Sequence, residues 1–139
     1  MKFYLVYLEC PSETGEVEWD ESFDPPRPIS AHLLYDAPPI SDLVTSRAGV
    51  HMVTVPLADA LAATDLTGFE FAPSTSEAVP DVEMRGEYEI PPMRVLVITG
   101  RPFVDDFGPK QTGIILSQRG VDFLTAWEPR FSRFVMDVL

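Results

Sequence analysis

The sequence has one cysteine, Cys10, and so has no second thiol for an intramolecular disulfide bond. It also lacks any run approaching the roughly 20 apolar residues that cross a bilayer. The first ten residues hold one lysine, a short apolar run and no small-residue cleavage site, so we predict a first strand there and not a signal peptide. These absences lead us to expect a cytoplasmic protein in a reducing compartment.

Basic residues are scarce. The chain has 10 Lys and Arg against 22 Asp and Glu, a formal net charge of -12, and a pI near 4.3. Nucleic-acid affinity depends on Lys and Arg that release counterions, and an anionic membrane surface repels an acidic protein. We therefore predict neither direct nucleic-acid binding nor membrane binding.

Side chains for metal or covalent chemistry are also few. The nitrogen and sulfur donors are Cys10, His32 and His51, widely spaced, so we predict no metal and no cofactor. Cys10 lies in an acidic stretch, which disfavours a thiolate nucleophile. The chain has no Gly-x-Ser-x-Gly elbow and no Gly-rich phosphate loop. The pattern favours a protein that is not an enzyme, although carboxylate-based hydrolysis or group transfer stays open as an alternative.

What is present fits one globular domain. With 139 residues and 45% hydrophobic residues, we predict a single α+β domain over residues 1–139, with a mixed or antiparallel sheet and about two short helices. The predicted strands are Phe3–Leu8, Ile29–Tyr35, Phe69–Phe71, Val82–Ile90, Met93–Thr99 and Phe131–Leu139. Val50–Val55 fits either a further strand or an irregular connection. Helices are predicted at Pro56–Leu66, after a Ser117 cap and before Pro129, and briefly after Ser41–Asp42 up to Arg47. Asp105–Pro109 reads as a turn.

Two segments rich in proline or small polar residues interrupt these elements. Residues 10–28 are acidic and contain four prolines, which predicts a long loop or a hairpin excursion. Residues 72–80 are rich in Ser, Thr and Pro and predict a surface loop.

The negative charge is concentrated in the first part of the chain. Residues 1–84 hold 3 basic and 15 acidic side chains, whereas residues 85–139 hold 7 of each. Aromatic residues interrupt the acidic run, a composition typical of interface anchors. The alternative is a solvated face that only maintains solubility. The predicted partner-binding residues are Glu13, Glu16, Glu18, Trp19, Asp20, Glu21, Phe23 and Asp24.

Six scattered motifs carry a resemblance to a known family: Ser41–Leu43, Leu66–Phe71, Tyr88–Met93, Val97–Pro102, Asp105–Gly108 and Ile115–Arg119. Together they resemble immunity proteins of bacterial polymorphic toxins, especially the groups frequent in myxobacteria. The resemblance implies a protein that binds and neutralises a cognate toxin, which we expect to be basic, and that catalyses no reaction. Some members carry Cys-x-x-Cys pairs that would bind zinc, which this chain lacks. An acidic nucleic-acid mimic that inhibits a host or phage enzyme is a further alternative, and the oligomeric state stays open.

Overall fold

The computed structural model describes residues 2–79 and 88–139. They form a small α+β domain with mostly antiparallel sheets, which confirms the predicted fold class. The strands are β1 (Phe3–Val6), β2 (Ser12–Asp20), β3 (Arg27–Tyr35), β4 (Leu43–Thr45), β5 (His51–Thr54), β6 (Phe69–Ala72), β7 (Ser74–Ala78), β8 (Met93–Ile98), β9 (Phe107–Lys110), β10 (Gly113–Ser117) and β11 (Val135–Val138). The helices are α1 (Val55–Ala62), α2 (Gln118–Trp127) and a 3-10 helix at Pro129–Phe134. Within the described ranges, no helix has the length and hydropathy needed to cross a membrane.

The described strands form three sheets. The first sheet has the order β11-β1-β10-β9, the hairpin sheet has the order β2-β3-β7, and the central sheet has the order β4-β5-β8-β6. The pairing of β3 with β7 is parallel. The other strand pairs within these sheets are antiparallel.

The central sheet is buried on both faces. Val95 of β8 packs in a cluster with Leu33 and Tyr35 of the hairpin sheet. The next residue, Leu96, packs in a second cluster with Leu57 of α1 and Leu116 of β10. Alternate side chains of β8 therefore enter two different cores, which explains its uninterrupted apolar run. The hairpin sheet covers one side of this arrangement and so has an inner and an outer face.

Both longer predicted helices form. Helix α1 covers Val55–Ala62 and ends four residues before the predicted limit of Pro56–Leu66. Helix α2 starts after Ser117, whose Oγ accepts a hydrogen bond from the Gly120 N–H at 3.2 Å, and it ends ahead of Pro129. The cap and the proline were local signals, and both act as expected.

The predicted brief helix between Ser41 and Arg47 is wrong, because Leu43–Thr45 forms β4. The Ser41 N–H donates to the Glu9 carboxylate at 2.9 Å, and the Thr45 N–H donates to the Glu9 carbonyl oxygen at 2.8 Å. These contacts with a residue more than thirty positions away satisfy the backbone in an extended conformation. The local capping preference of Ser41–Asp42 is weaker than these tertiary hydrogen bonds, so the segment is extended.

The two segments predicted as loops contain strands. Residues 10–28 form a hairpin excursion in which β2 pairs with β3, so the loop alternative is wrong for most of this range. The surface-loop prediction for 72–80 is wrong for Ser74–Ala78, which forms β7. Its partner β3 lies about forty residues earlier, and such a parallel pairing leaves no local hairpin signal in the sequence.

Two further predicted elements differ from the structure, and a third lies mostly outside the described residues. The predicted strand Phe131–Leu139 starts instead as a 3-10 helix and becomes extended only at Val135. The predicted turn at Asp105–Pro109 gives way to β9 from Phe107 onward. Of the predicted strand Val82–Ile90, residues 82–87 lie outside the described residues, and 88–90 form no strand.

Candidate protein-binding face

The side chains of β2 are divided between the two faces of the hairpin sheet. Val17 pairs with Ala31, which is buried, so Val17 faces the core. Successive strand residues point to opposite faces, so Glu18, opposite Ser30, points outward. Glu13 is exposed near the other end of the strand. The outer face of the hairpin therefore carries carboxylates, while its inner face packs against the central sheet.

Two irregularities in the β2–β3 register determine how the predicted residues are distributed. The first, between Thr14 and Val17, inserts one extra residue in β2, and Glu16 is exposed in this bulge. The second lies between Glu18 and Trp19. Trp19 lies on the opposite side of the hairpin, because it lines a cleft at the tip of the hairpin, whereas Glu18 lines a depression on the outer face. The predicted set thus does not form one continuous surface.

Strand β7 adds residues that sequence reasoning missed. His32 of β3 pairs with Thr75, and its Nδ1 lies 2.6 Å from the Thr75 Oγ1. Its Nε2 lies 3.3 Å from the Glu77 carboxylate. Glu16 and Glu18 line a shallow depression of about 640 Å³ that also includes His32 and Thr75. We call the following residues the acidic face: Glu13, Glu16, Glu18 and Glu77.

The carboxylates of the acidic face differ in how far they are neutralised. Arg47 Nη1 lies 2.9 Å from Glu13, and Arg47 Nη2 lies 2.5 Å from Asp36. The hydrogen bond to Asp36 raises the pKa of Arg47 above its ordinary value. Glu16 and Glu18 have no cation partner in the described part of the chain. Their charges are therefore available to a partner, whereas the charge of Glu13 is partly compensated.

The hairpin tip, residues 20–27 between β2 and β3, is held together by contacts among its own residues and with Thr99, just after β8. Asp20 Oδ1 accepts hydrogen bonds from Ser22 N at 3.0 Å and Ser22 Oγ at 2.6 Å, which lower the pKa of Asp20. The Arg27 guanidinium lies 3.7 Å from the centre of the Phe23 ring, and its Nη2 donates to the Thr99 carbonyl at 3.2 Å. Asp20 therefore stabilises the turn through Ser22, and Phe23 packs against Arg27. Glu21 and Asp24 are exposed beside them.

A cleft of about 370 Å³ lies between the hairpin tip, the start of β5, the end of β8 and the β9–β10 turn. Trp19, Val50 and Ile98 contribute apolar walls, and Glu21 and Arg27 are the charged residues that line it. The Trp19 side chain is 40% exposed. A partly open apolar cleft with few polar groups is the usual form of a binding pocket.

His51, the first residue of β5, also lines this cleft. Only 6% of the residue is exposed, and its Nδ1 has no hydrogen-bond partner among residues 2–79 and 88–139. Burial lowers the pKa of His51 to about 4, so its imidazole is neutral at pH 7. Over the same residues, no three His, Cys, Asp or Glu side chains are placed to hold a metal ion.

Close packing at Gly15 supports the outer face, and we expect Gly15→Ala to destabilise the protein. A Cβ at Gly15 would lie 2.9 Å from the His32 carbonyl oxygen and 3.2 Å from its Cδ2. Relieving this overlap requires a shift of β2 against β3, which costs about 1–3 kcal/mol of unfolding free energy. Urea denaturation checks the value. Gly120→Ala is the control, because its Cβ would meet no atom closer than 3.4 Å, and an equal loss in both variants would contradict the expectation.

The fold and these surfaces define a small α+β protein with an acidic face on a β-hairpin and a cleft at the hairpin tip. The chain was compared with protein-family models, curated proteins and solved structures, and none of them matches.

Proposed function

We propose that the protein binds a basic protein through the acidic face and acts as an immunity protein that neutralises a toxin. The observation that carries the proposal is the placement of exposed carboxylates on the outer face of a sheet whose inner face is core. Glu16 and Glu18 come from β2, and Glu77 comes from β7.

The acidic face is held in place by the core beneath it. Leu33 and Tyr35 of β3 are fully buried and pack against the central sheet. Strands in a sheet lie about 4.8 Å apart, so their outward side chains keep a fixed spacing. Carboxylates on such a support lose less conformational entropy on binding than carboxylates on a flexible loop. This rigidity supports a recognition surface over a merely solvated charge run.

The charge of the whole molecule supports a basic partner. A net charge of -12 creates a negative potential that accelerates encounter with a positive protein, especially at low salt. The hairpin from β2 to Arg27 contains six acidic residues and one basic residue. Binding should therefore weaken steeply as ionic strength rises.

The resemblance to immunity proteins supports a toxin as the partner. Two of its motifs, Val97–Pro102 and Ile115–Arg119, lie at the end of β8 and at the junction of β10 and α2. They belong to the scaffold and not to the acidic face. A scaffold common to a group, combined with a face particular to each member, would give each protein its own partner.

The geometry supports binding over carboxylate-based catalysis. The acidic face is open, whereas acid-base catalysis uses carboxylates in a cleft that excludes water. An acidic mimic of nucleic acid would use the same face but bind a nucleic-acid enzyme of a host or phage. The identity of the protein that binds distinguishes this alternative from a toxin.

The proposal is tested by affinity for the product of the adjacent gene, purified as an inactive variant. We expect the triple variant Glu16→Gln, Glu18→Gln and Glu77→Gln to bind at least about tenfold more weakly, a loss of about 1.4 kcal/mol. Its affinity should also depend less on salt, because fewer charges take part. Calorimetry at two salt concentrations measures both effects.

The control removes the same number of charges elsewhere. Asp59→Asn, Asp122→Asn and Asp137→Asn change three exposed carboxylates on α1, α2 and β11. This variant should keep most of the affinity. Equal losses in the two triple variants, or no loss in either, would rule out the acidic face as the interface.

A further inference from the structure

We propose that the cleft at the hairpin tip takes one arginine side chain of the basic partner. Its guanidinium would stack on the Trp19 indole and pair with the Glu21 carboxylate. This inference depends on the proposed function, because it names a contact that the same basic partner would make outside the acidic face. It adds a second site, on the opposite side of the hairpin from the acidic face.

The walls of the cleft suit the stem of a long side chain. Val50, Ile98 and Pro109 line it together with Trp19, and they provide apolar surface for methylene groups. The volume of about 370 Å³ lies at the lower end of the roughly 300–1,000 Å³ typical of ligand pockets. The cleft therefore fits a single side chain better than a folded segment.

The hairpin tip already contains one stacked pair of an arginine and an aromatic ring. Arg27 stacks on Phe23 at 3.7 Å, and this is the cation–π pair among the described residues. Trp19 is 40% exposed, and in the described part of the chain no cation lies over its ring and its indole N–H donates no hydrogen bond. Trp is the strongest aromatic partner for a cation, and Trp and Arg are enriched at interface hot spots.

The charges around the cleft favour a cation as its occupant. Arg27 is the basic residue in the lining, and its charge is engaged by Phe23, by the Thr99 carbonyl and by nearby Asp20. Glu21 has no ion-pair partner in the described ranges. A planar guanidinium can stack and pair with a carboxylate together, whereas a lysine ammonium is a compact point charge that is costlier to dehydrate.

The two tryptophans of the chain provide the test. A ¹⁵N-labelled sample gives two indole N–H cross-peaks, from Trp19 and Trp127, and Trp127 donates to Asp42 at 2.8 Å outside the cleft. The probes are the capped peptides Gly-Arg-Gly, Gly-Lys-Gly and Gly-citrulline-Gly, titrated into the millimolar range expected for one side chain. We expect the arginine peptide to shift the Trp19 cross-peak and leave Trp127 in place, the lysine peptide to shift it less, and the neutral citrulline peptide not to shift it.

Two variants separate the cleft from general attraction to an acidic protein. Glu21→Gln should lose most of the Trp19 shift, whereas the triple variant of the acidic face should retain it. No shift at Trp19, equal shifts with lysine or citrulline, or a shift that survives Glu21→Gln would overturn the inference. The proposed function is tested apart from this, because it depends on the affinity of the partner for the triple variant.

Discussion

Replacing Asp106 by alanine is expected to lower the free energy of unfolding by about 3–5 kcal/mol. The Asp106 carboxylate is nearly buried and accepts hydrogen bonds from Ser117 Oγ at 2.5 Å and Thr67 N at 3.0 Å. Ser117 also caps α2 through the Gly120 N–H. One carboxylate therefore joins the start of β9, the turn before β6 and the first turn of α2.

The size of the effect follows from the groups left behind. Alanine at position 106 leaves the buried Ser117 hydroxyl without an acceptor, which costs about 1–3 kcal/mol. It also removes the charge-assisted hydrogen bond from the partly buried Thr67 N–H, a loss of about 1.5–3 kcal/mol. Domains of this size are stable by only about 5–15 kcal/mol, so the loss is a large share.

Urea denaturation at pH 7 measures this loss, and the neighbouring acid provides the control. Asp105 accepts the Arg101 N–H at 2.7 Å in an exposed contact. Asp105→Ala should therefore cost no more than about 1.5 kcal/mol, the net value of one ordinary hydrogen bond. Similar losses for Asp105→Ala and Asp106→Ala would contradict the role assigned to the buried network.

A second large effect is expected from pH. Lowering the pH from 7 to 5 should cost roughly 2 kcal/mol of unfolding free energy through His51 alone. The pKa of His51 is about 4 in the folded protein, because burial disfavours the charged imidazole, and about 6.5 in the unfolded chain. Between these values the unfolded state binds a proton that the folded state does not. Stability therefore rises with pH, and it is lost as the pH falls from about 6.5 towards about 4.

The two histidines form a matched pair for this test. His51→Gln should flatten the difference in unfolding free energy between pH 7 and pH 5. His32→Gln should not flatten it, because His32 lies on the exposed outer face and has no desolvated imidazole to protonate. Both variants keep every carboxylate of the wild type, so the comparison isolates the contribution of one histidine. An equal pH dependence in wild type and His51→Gln would remove His51 as its cause.

Elements with a clear local pattern, such as an apolar run with defined ends or a cap combined with a terminating proline, were predicted correctly from the sequence. The apolar run of β8 has a strand length and clear ends, and α2 is bounded by the Ser117 cap and Pro129. The three residues of β4 carry no comparable signal, and their extended form depends on Glu9 and β5. Short elements held by distant partners are the ones that sequence reasoning misses.

The candidate site shows the same division. The density of acidic residues indicates that Glu16 and Glu18 are exposed, and they are. Glu77 lies in a segment whose Ser, Thr and Pro content reads as a loop, and only the parallel pairing of β3 with β7 brings it to the acidic face. Asp20, equally acidic in sequence, is used by the turn through Ser22.

By itself, the sequence determined the α+β class, the main helices and the stretch of chain in which the negative charge lies. Only the tertiary structure decided which carboxylates share a face and that Trp19 lies on the other side of the hairpin, at the cleft. The physical reason is that side chains alternate along a strand, so a one-residue bulge moves every later side chain to the opposite face. The pairing of distant strands determines the rest, and no local pattern encodes it.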